Sequence, residues 1–398
     1  MPWVKDGTTY TFQFHTEEGT GTPPLIWDSD LPAEFLSINP LTGVLTATNP
    51  TQGVYHPTIT VTDRFNRSDS KILKFEVKEP VIPGTVWTAV GYVNGEVRSI
   101  TKLSTGTILI FADAKIYRST DNMLTWNQVK NCGDHYYGMY NSGVFQDEYG
   151  NVYAFASNEN EIICVRSTND GQTWSSLSSI PASWNARGGG KVVYCGGGVI
   201  VAAYTYYGSR IYVYKSTDYG ATWGTPTMYQ GGFTYWWSDL ILIPGTSKLL
   251  AMKSNTGGPI RFFTSDVATI DFVESSTTFD ATSGNPEGGF ARELTGDGNI
   301  ISHYWGDSSK TALSSDNGAS WNVAYCGIDS LSFAMCCRRN VVIVGCQTKI
   351  MRSADNGVTF LSSSSVIDGA CKALCNGNDN VFLAGTNGTT YNLYRSTM

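Results

Sequence analysis

Hydrophobic and polar residues alternate in short runs along the first part of the chain, at 9–14, 59–62 and 72–77. Alternation with a period of two is typical of strands that bury one face. Turn sequences rich in Asn, Pro and Gly separate these runs. The length of the segment and the number of runs predict a small β-sandwich over 1–79.

From residue 85 onward the pattern changes to a tight turn that leads into an apolar strand. This phrase occurs seven times, first at 104–111 and last at 377–384. Further short strands follow each copy, and four short strands per repeat are typical of one blade of a β-propeller. The prolines of 80–84 predict an extended linker before the first blade.

A second phrase recurs downstream of the first and reads Ser-Thr-Asp-Asn-Met-Leu-Thr-Trp at 119–126. Four similar octapeptides and a weaker copy at 264–272 follow it, and the chain ends on the opening of another. The leading Ser or Thr of each copy stands at 119, 167, 216, 264, 314, 353 and 396, in steps of 48, 49, 48, 50, 39 and 43 residues. A repeat of this period predicts a propeller or an array.

The octapeptide has the chemistry of a hairpin turn. Its Asp or Asn side chain accepts hydrogen bonds from the backbone of the turn, and its Gly adopts the left-handed conformation. The closing Trp or Phe begins the next strand and is expected to pack between neighbouring repeats. The turn residues predicted to be structural are Asp121, Asn169, Asp218, Asp266, Asp316 and Asp355.

The octapeptide resembles the Asp-box of sialidase-like propellers, also called bacterial-neuraminidase repeats. That resemblance implies a propeller whose box turns lie on the face opposite the ligand site. Sialidases have six blades, so seven repeats depart from that branch of the family. The stretches 36–46, 53–55 and 59–63 resemble the putative-Ig, cadherin-like domain of bacterial surface and phage proteins, which implies a spacer or docking module.

The seventh repeat stops after its third strand, and the segment 86–90 resembles the missing fourth strand. We expect this segment to pair with the last strand and close the ring, because closure covers two sheet edges. The predicted fold class is all-β, with an Ig-like/cadherin-like β-sandwich (1–79), a linker (80–84) and a seven-bladed Asp-box β-propeller (85–398) closed by an N-terminal strand.

Composition narrows the class of protein. The 398 residues carry a formal net charge of −7, 15% of them are charged and 42 are glycine, which fits a β-rich extracellular or virion-type protein. The acidic balance argues against a nucleic-acid partner. The sequence contains no apolar stretch of about 18 residues that would span a membrane.

The nine cysteines lack the paired spacing of a zinc site. We expect them to be small buried residues with free thiols. Free thiols indicate folding in a reducing cytoplasm, and a phage virion protein assembled inside a bacterium meets that condition. No metal and no cofactor are predicted.

Strand direction sorts the connecting loops onto two faces, with the box turns on one of them. The loops of the other face are rich in aromatic residues, and flat rings beside guanidinium and carboxylate groups suit sugars. Single rings can instead belong to the packing between blades, so this prediction rests on the cluster. The predicted ligand-binding residues are Tyr136, Tyr137, Tyr206, Tyr207, Arg210, Trp236, Trp237, Asp239, Arg292 and Trp305.

Catalysis is a second reading of the same face. Arg98 resembles one of the three sialidase arginines that hold the substrate carboxylate, but the loop that would carry the acid/base Asp shrinks to 112–115. A general glycosidase needs two carboxylates about 5–10 Å apart. The weak candidates for such a pair are Asp134, Asp239, Glu287 and Asp307.

The sequence therefore predicts a receptor-binding or adhesion protein that recognises a cell-surface glycan or glycoprotein. We expect it in a phage fibre or spike, or on an extracellular surface, with the N-terminal domain contacting other subunits. An enzyme is not the favoured reading. Two alternatives stay open: a glycoside hydrolase that uses a carboxylate pair, and a protein–protein scaffold.

Overall fold

The computed structural model describes 4–5, 10–13, 24–30, 36–47, 53–56, 58–72, 75–78, 84–133, 137–138, 143–157, 161–181, 190–206, 210–230, 235–255, 260–279, 288–291, 294–295, 298–304, 309–328, 332–338, 340–363, 367–376, 382–388 and 391–396. Within these ranges, the regular secondary structure consists of β-strands. The chain divides into two compact units, Met1–Ile82 and Pro83–Met398. In the described ranges, no helix has the length and apolar character needed to cross a membrane.

The first unit contains nine described strands in three small sheets. The strands are β1 Val4–Lys5, β2 Tyr10–Gln13, β3 Ile26–Ser29, β4 Leu36–Ile38, β5 Val44–Ala47, β6 Gly53–Tyr55, β7 Thr58–Thr62, β8 Ser68–Ile72 and β9 Phe75–Lys78. Their orders are β1-β9-β6, β2-β5-β4 and β3-β7-β8. The first strand runs parallel to β9, and the other described pairs are antiparallel.

Short polar side chains shape the turns of the first unit. The buried carboxylate of Asp63 accepts hydrogen bonds from the backbone N–H groups of Phe65 (2.9 Å) and Arg67 (3.0 Å). The guanidinium of Arg67 also contacts Asp63, at 2.6 Å. Gly43 has φ +69°, and a Cβ there would lie 2.8 Å from the ring of Trp27. The turn before β5 therefore requires glycine.

The second unit contains seven described sheets. Sheet 1 consists of β11 Val97–Lys102, β12 Ile108–Ala112, β13 Lys115–Ser119 and β14 Asn127–Asn131. Sheet 2 consists of β15 Tyr137–Gly138, β16 Val144–Gln146, β17 Val152–Ser157, β18 Glu161–Ser167, β19 Ser175–Ser176 and β20 Ile180–Pro181. Sheet 3 consists of β21 Lys191–Tyr194, β22 Ile200–Tyr206, β23 Arg210–Ser216 and β24 Thr227–Gln230. All pairs in these sheets are antiparallel.

Sheets 4 to 6 repeat the four-stranded order. Sheet 4 consists of β25 Tyr235–Leu242, β26 Lys248–Asn255, β27 Ile260–Asp266 and β28 Val273–Phe279. Sheet 5 consists of β29 Gly288–Phe290, β30 Ile300–Tyr304, β31 Ser309–Ser314 and β32 Asn322–Ile328. Sheet 6 consists of β33 Ser332–Arg338, β34 Val341–Cys346, β35 Ile350–Ser353 and β36 Leu361–Ser362. The second strands are mostly apolar because neighbouring sheets cover both of their faces. Every residue of β12, β17 and β34 is buried.

Sheet 7 is built from both ends of the second unit. It contains β37 Ala370–Asn376, β38 Phe382–Asn387 and β39 Asn392–Ser396, and its fourth strand is β10 Trp87–Tyr92. Trp87 pairs with Ser396 and Tyr92 with Asn392 in an antiparallel ladder. The predicted closing strand is thus confirmed, and it extends two residues beyond the predicted 86–90.

The core of the second unit lies between neighbouring sheets. One cluster joins Met252 and Phe262 of sheet 4 to Phe290 and Trp321 of sheet 5. The rings of Phe262 and Trp321 stack with their centroids 4.1 Å apart. A Trp that closes an octapeptide therefore packs against the preceding sheet, as the sequence pattern predicts.

The described cysteines are free thiols. Most of them are buried, and Cys164, Cys337, Cys346 and Cys371 have no exposed surface. Burial raises the pKa of the Cys132 thiol to about 11. These side chains thus behave as small apolar residues of the core.

Candidate functional site

The box turn has the same internal hydrogen bonds in five of its copies. In sheet 3, Ser216 Oγ donates to Asp218 Oδ1 (2.8 Å) and accepts from the N–H of Gly220 (2.9 Å). The carboxylate of Asp218 accepts from the backbone N–H (2.9 Å) and the hydroxyl (2.5 Å) of Thr222. Corresponding contacts surround Asp121, Asn169, Asp316 and Asp355, except that the amide nitrogen of Asn169 donates to the hydroxyl of Thr173 at 2.9 Å.

These hydrogen bonds stabilise the ionised carboxylates. The hydroxyl and then the backbone N–H of Thr125 lower the pKa of Asp121 to about 2. The same two groups of Thr222 lower the pKa of Asp218. The carboxylate charges therefore interact with groups inside the turn.

Two consecutive residues with positive φ give the box turn its shape, as at Tyr219 (59°) and Gly220 (79°). Glycine is favoured at the second position by the positive φ and, in some copies, by the closeness of the preceding sheet. A Cβ at Gly318 would be 2.8 Å from Leu250. The first copy has Met123 at this position, with φ 76°, and its buried side chain packs with Leu383 in the cluster that joins sheets 1 and 7.

The copy in sheet 4 departs from the pattern. Asp266 is exposed, and in the described residues its carboxylate makes none of the box hydrogen bonds. Its backbone oxygen accepts from the N–H of Ile270 at 3.0 Å, and Ile270 has φ 52° where other copies have Gly. Within the described residues, this turn is held by the backbone hydrogen bond of Asp266 and not by its side chain.

Box turns also join neighbouring sheets. Asp170, in the box of sheet 2, accepts from Thr105 (2.6 Å) and Thr107 (2.5 Å) in the first turn of sheet 1. Arg118 of β13 forms an ion pair with the same carboxylate at 2.7 Å. At the corresponding position of sheet 3, Lys215 Nζ donates to the backbone oxygen of Val267 in sheet 4, at 2.7 Å. We call the contacts of Asp170 the sheet 1–2 clamp.

Antiparallel order places the connections of each sheet at two ends. The box end carries the box turns and the turns between first and second strands. The loop end carries the other connections, and there Tyr206 pairs with Arg210 at the end of the β22–β23 hairpin. Trp236 and Trp237 begin β25 at the same end of the next sheet. The backbone thus brings these four predicted residues to the loop end, where Arg210 is exposed.

Most other predicted site residues cannot be placed. Tyr137 begins β15, where it pairs with Ser157. The remaining ones lie outside the described residues, namely Asp134, Tyr136, Tyr207, Glu287, Arg292, Trp305 and Asp307.

Asp239 differs from its predicted role. It is only 3% exposed, and its carboxylate accepts from the N–H groups of Leu240 (2.8 Å) and Phe290 (2.9 Å). Phe290 belongs to the first strand of the next sheet, so Asp239 links sheets 4 and 5 instead of facing a surface ligand. His303 is buried nearby, and burial lowers its pKa to about 4 against the opposing charge of Asp239. No local sequence pattern indicates that either residue is part of the core.

A cavity of about 750 Å³ lies at the centre of the second unit. The first strands of all seven sheets contribute to its lining, which sequence reasoning did not identify as a site. Each of these strands pairs with a single neighbour in its sheet. Backbone N–H and C=O groups of the unpaired edges are therefore available to the cavity.

The last residues of six inner strands line the cavity toward the box end. They are Lys102, Gln146, Tyr194, Leu242, Arg338 and Asn376. The described lining contains two cations and no Asp or Glu, although the chain as a whole is acidic. The six strand ends lie at the start of the turn phrase of their repeat or within three residues before it, and this position is the sequence signal that would have located them.

Glu148 joins two tyrosines beside this ring. It accepts hydrogen bonds from Tyr194 and from Tyr219 (3.0 Å). The bond from Tyr194 is the main cause that lowers the pKa of Glu148, while burial and then this bond raise the pKa of Tyr194. An ionised carboxylate held by neutral phenols is a cross-link between sheets 2 and 3, not an activated nucleophile. The described ranges also contain no cluster of three or more His, Cys, Asp or Glu suited to a metal ion.

Comparison with known proteins identifies the fold. No protein-family model matches the chain, and no curated protein sequence matches it. A structure of YCF48 bound to a D1 peptide covers 79% of this chain and 94% of its own, at 16% identity and a TM-score of 0.56. YCF48 from Cyanidioschyzon merolae covers 78% and 98%, at 14% identity and a TM-score of 0.56. Raptor from Chaetomium thermophilum covers 78% of this chain and 29% of its own, at 13% identity and a TM-score of 0.55.

These neighbours are β-propellers. At such identities the likeness concerns the fold alone. Together with the successive antiparallel sheets around one cavity, it shows that the chain contains a β-propeller.

Proposed function

We propose that the second unit is a seven-bladed propeller of the Asp-box type and that the first is an Ig-like/cadherin-like module. Seven described sheets, the pairing of β10 with β39 and the repeated box hydrogen bonds support the first part. The three small sheets of the first unit are compatible with the second part.

We infer that the propeller is a binding module that recognises a cell-surface glycan or glycoprotein at its loop end. One observation carries this proposal: the strand ends of sheets 3 and 4 bring Tyr206, Arg210, Trp236 and Trp237 to the same end of the unit. Aromatic rings beside a guanidinium are typical of sugar recognition. The box end is occupied by turns that hold the sheets together.

The biological setting follows from the same reading. A glycan-binding propeller with a small N-terminal module suits a phage fibre or spike, or a bacterial surface protein. The free buried thiols agree with folding in a reducing cytoplasm before release. In that setting the first unit contacts other subunits, and no nucleic acid takes part.

The test is a glycan array, followed by binding of cells that carry the best glycan. Trp237→Ala and Trp305→Ala are expected to weaken binding about 30-fold, as for loss of one stacking ring. Tyr149→Ala is the matched control, because Tyr149 is an exposed aromatic residue in a turn at the box end. Equal binding by the folded loop-end variants and the wild type would remove this face from consideration.

Two alternatives have separate tests. Turnover of a polysaccharide by the purified protein would favour a glycoside hydrolase, although the burial of Asp239 removes one of the four weak carboxylate candidates. A neighbour with a bound peptide gives the scaffold reading its support. Absence of binding on the glycan array, together with binding of a defined peptide, would favour the protein–protein scaffold.

A further inference from the structure

The central cavity contains a cation that the fold does not use. Arg338 is the last residue of β33, lines the cavity and is partly buried. Its Nη1 atom is inaccessible to solvent and has no hydrogen-bond partner within the described residues. Arg98, Arg166 and Arg261 also have a buried Nε without a partner, but Arg98 and Arg261 form ion pairs through another nitrogen, and no ion pair of Arg338 occurs within the described residues. A buried guanidinium nitrogen without an acceptor costs folding energy, so its retention points to a ligand.

The residues around Arg338 indicate the charge of that ligand. The described lining includes a second cation, Lys102, and no acidic residue. In a chain of net charge −7, such a lining attracts an anion into a partly enclosed space. The cavity volume of about 750 Å³ lies within the range of small-molecule sites.

The chemistry of the lining also restricts the anion. A single guanidinium fork matches the two oxygens of a carboxylate. The lining comes from strands, and no helix N-terminus is present among the described residues to hold a phosphate. Free strand edges offer backbone donors and acceptors to the hydroxyl groups of such a ligand.

We propose that the central cavity is a second binding site, which holds a small hydroxylated carboxylate of the uronic-acid class against Arg338. This site is separate from the loop end, because its polar residues stand at the box-end termini of the inner strands. The propeller would then bind two ligands at opposite ends.

The experiment titrates sodium glucuronate into the full chain by calorimetry at constant ionic strength. Arg338→Gln is expected to weaken binding on the order of 10- to 100-fold, as for loss of a charge-assisted pair. Arg64→Gln is the matched control, since it removes the same charge from an exposed site in the first unit. Glucose, which lacks the carboxylate, should not bind.

The melting temperature of Arg338→Gln and the binding controls also test the proposed site. Without ligand, Arg338→Gln should melt at or above the wild-type temperature, because the substitution removes an unpartnered buried group. A clear drop would assign Arg338 a structural role and overturn the proposal. So would no heat from glucuronate, equal binding by inorganic phosphate, or equal weakening by Arg64→Gln. Because Arg338→Gln should leave array binding at the loop end unchanged, failure here is distinguishable from failure of the proposed function.

Discussion

At the scale of single residues, the box copies provide an internal comparison. Asp218 accepts three hydrogen bonds inside its turn, whereas the carboxylate of Asp266 accepts none from the described residues. We expect Asp218→Ala to lower the free energy of unfolding by about 1–2 kcal/mol. Asp266→Ala should change it by less than about 0.5 kcal/mol. Urea unfolding measures both, and equal effects would show that the turn hydrogen bonds do not stabilise the fold.

Neither substitution should affect ligand binding at the loop end. A selective loss of binding by Asp218→Ala, at an unchanged melting temperature, would move the ligand site to the box end. The array and the melting curve together therefore test the assignment of the two ends.

His303 predicts a second effect, on acid stability. Its pKa is lowered from 6.5 to about 4 in the folded chain, so the unfolded chain binds a proton between these values when the folded chain does not. Stability is therefore complete above about pH 7, falls as the pH drops from about 6.5 to 4, and loses on the order of 3 kcal/mol in all.

The measurement for His303 is the pH dependence of unfolding in wild type and in His303→Gln. The variant cannot titrate at this position, so its stability should decline less steeply between pH 6.5 and 4. Parallel curves for wild type and His303→Gln would contradict the assignment.

At the scale of elements, the sheet 1–2 clamp is a testable contact between neighbouring sheets. Burial is the largest single influence on Asp170 and raises its pKa, but the hydrogen bonds from Thr105, Thr107 and Arg118, with the charge of Arg118, together lower it. We expect Asp170→Asn, which tolerates the φ of 58° at this position, to cost about 1–2 kcal/mol. A double-mutant cycle with Arg118→Gln should give a coupling of about 1 kcal/mol, and additive effects would exclude the ion pair as a source of stability.

The sequence predicted the elements better than it predicted the site. Alternation and repeated turn phrases locate the strands of the second unit because they report local backbone geometry. The role of Asp239 depends on the hydrogen bond that it accepts from Phe290 of the next sheet, and a local sequence pattern holds no information about that contact. Arg338 and Lys102 likewise line the same cavity only because the sheets close into a ring. Prediction failed where function depends on contacts between repeats.

At the scale of the whole molecule, the propeller divides its tasks between two ends. Turns at the box end bind neighbouring sheets together through Asp170, Lys215 and Glu148. Connections at the loop end carry the proposed ligand residues. Surface connections tolerate more changes in sequence than turns that hold neighbouring sheets together. This division explains why the box phrases repeat while the aromatic loops differ from blade to blade.

Ring closure gives the last prediction. Trp87 of β10 is 5% exposed and shares a cluster with Ile343 and Phe382. Removing residues 1–83 keeps β10, whereas removing residues 1–92 deletes it and exposes the edge of β39. Loss of the Trp87 side chain alone is worth about 3–5 kcal/mol, which is a large part of the stability of a typical domain. The shorter deletion should therefore leave cooperative unfolding, and the longer one should abolish it or lower the midpoint sharply.

A matched pair of point variants separates the strand pairing from the length of the chain. Thr88 is exposed and pairs with Arg395 in the β10–β39 ladder. Thr88→Pro cannot donate a backbone hydrogen bond and should destabilise by about 2–3 kcal/mol, whereas Thr88→Ala should cost less than about 1 kcal/mol. Denaturant unfolding of all four variants provides the comparison. If both deletions unfold at the same midpoint with the same cooperativity, and Thr88→Pro behaves like Thr88→Ala, then the ring does not depend on its N-terminal strand.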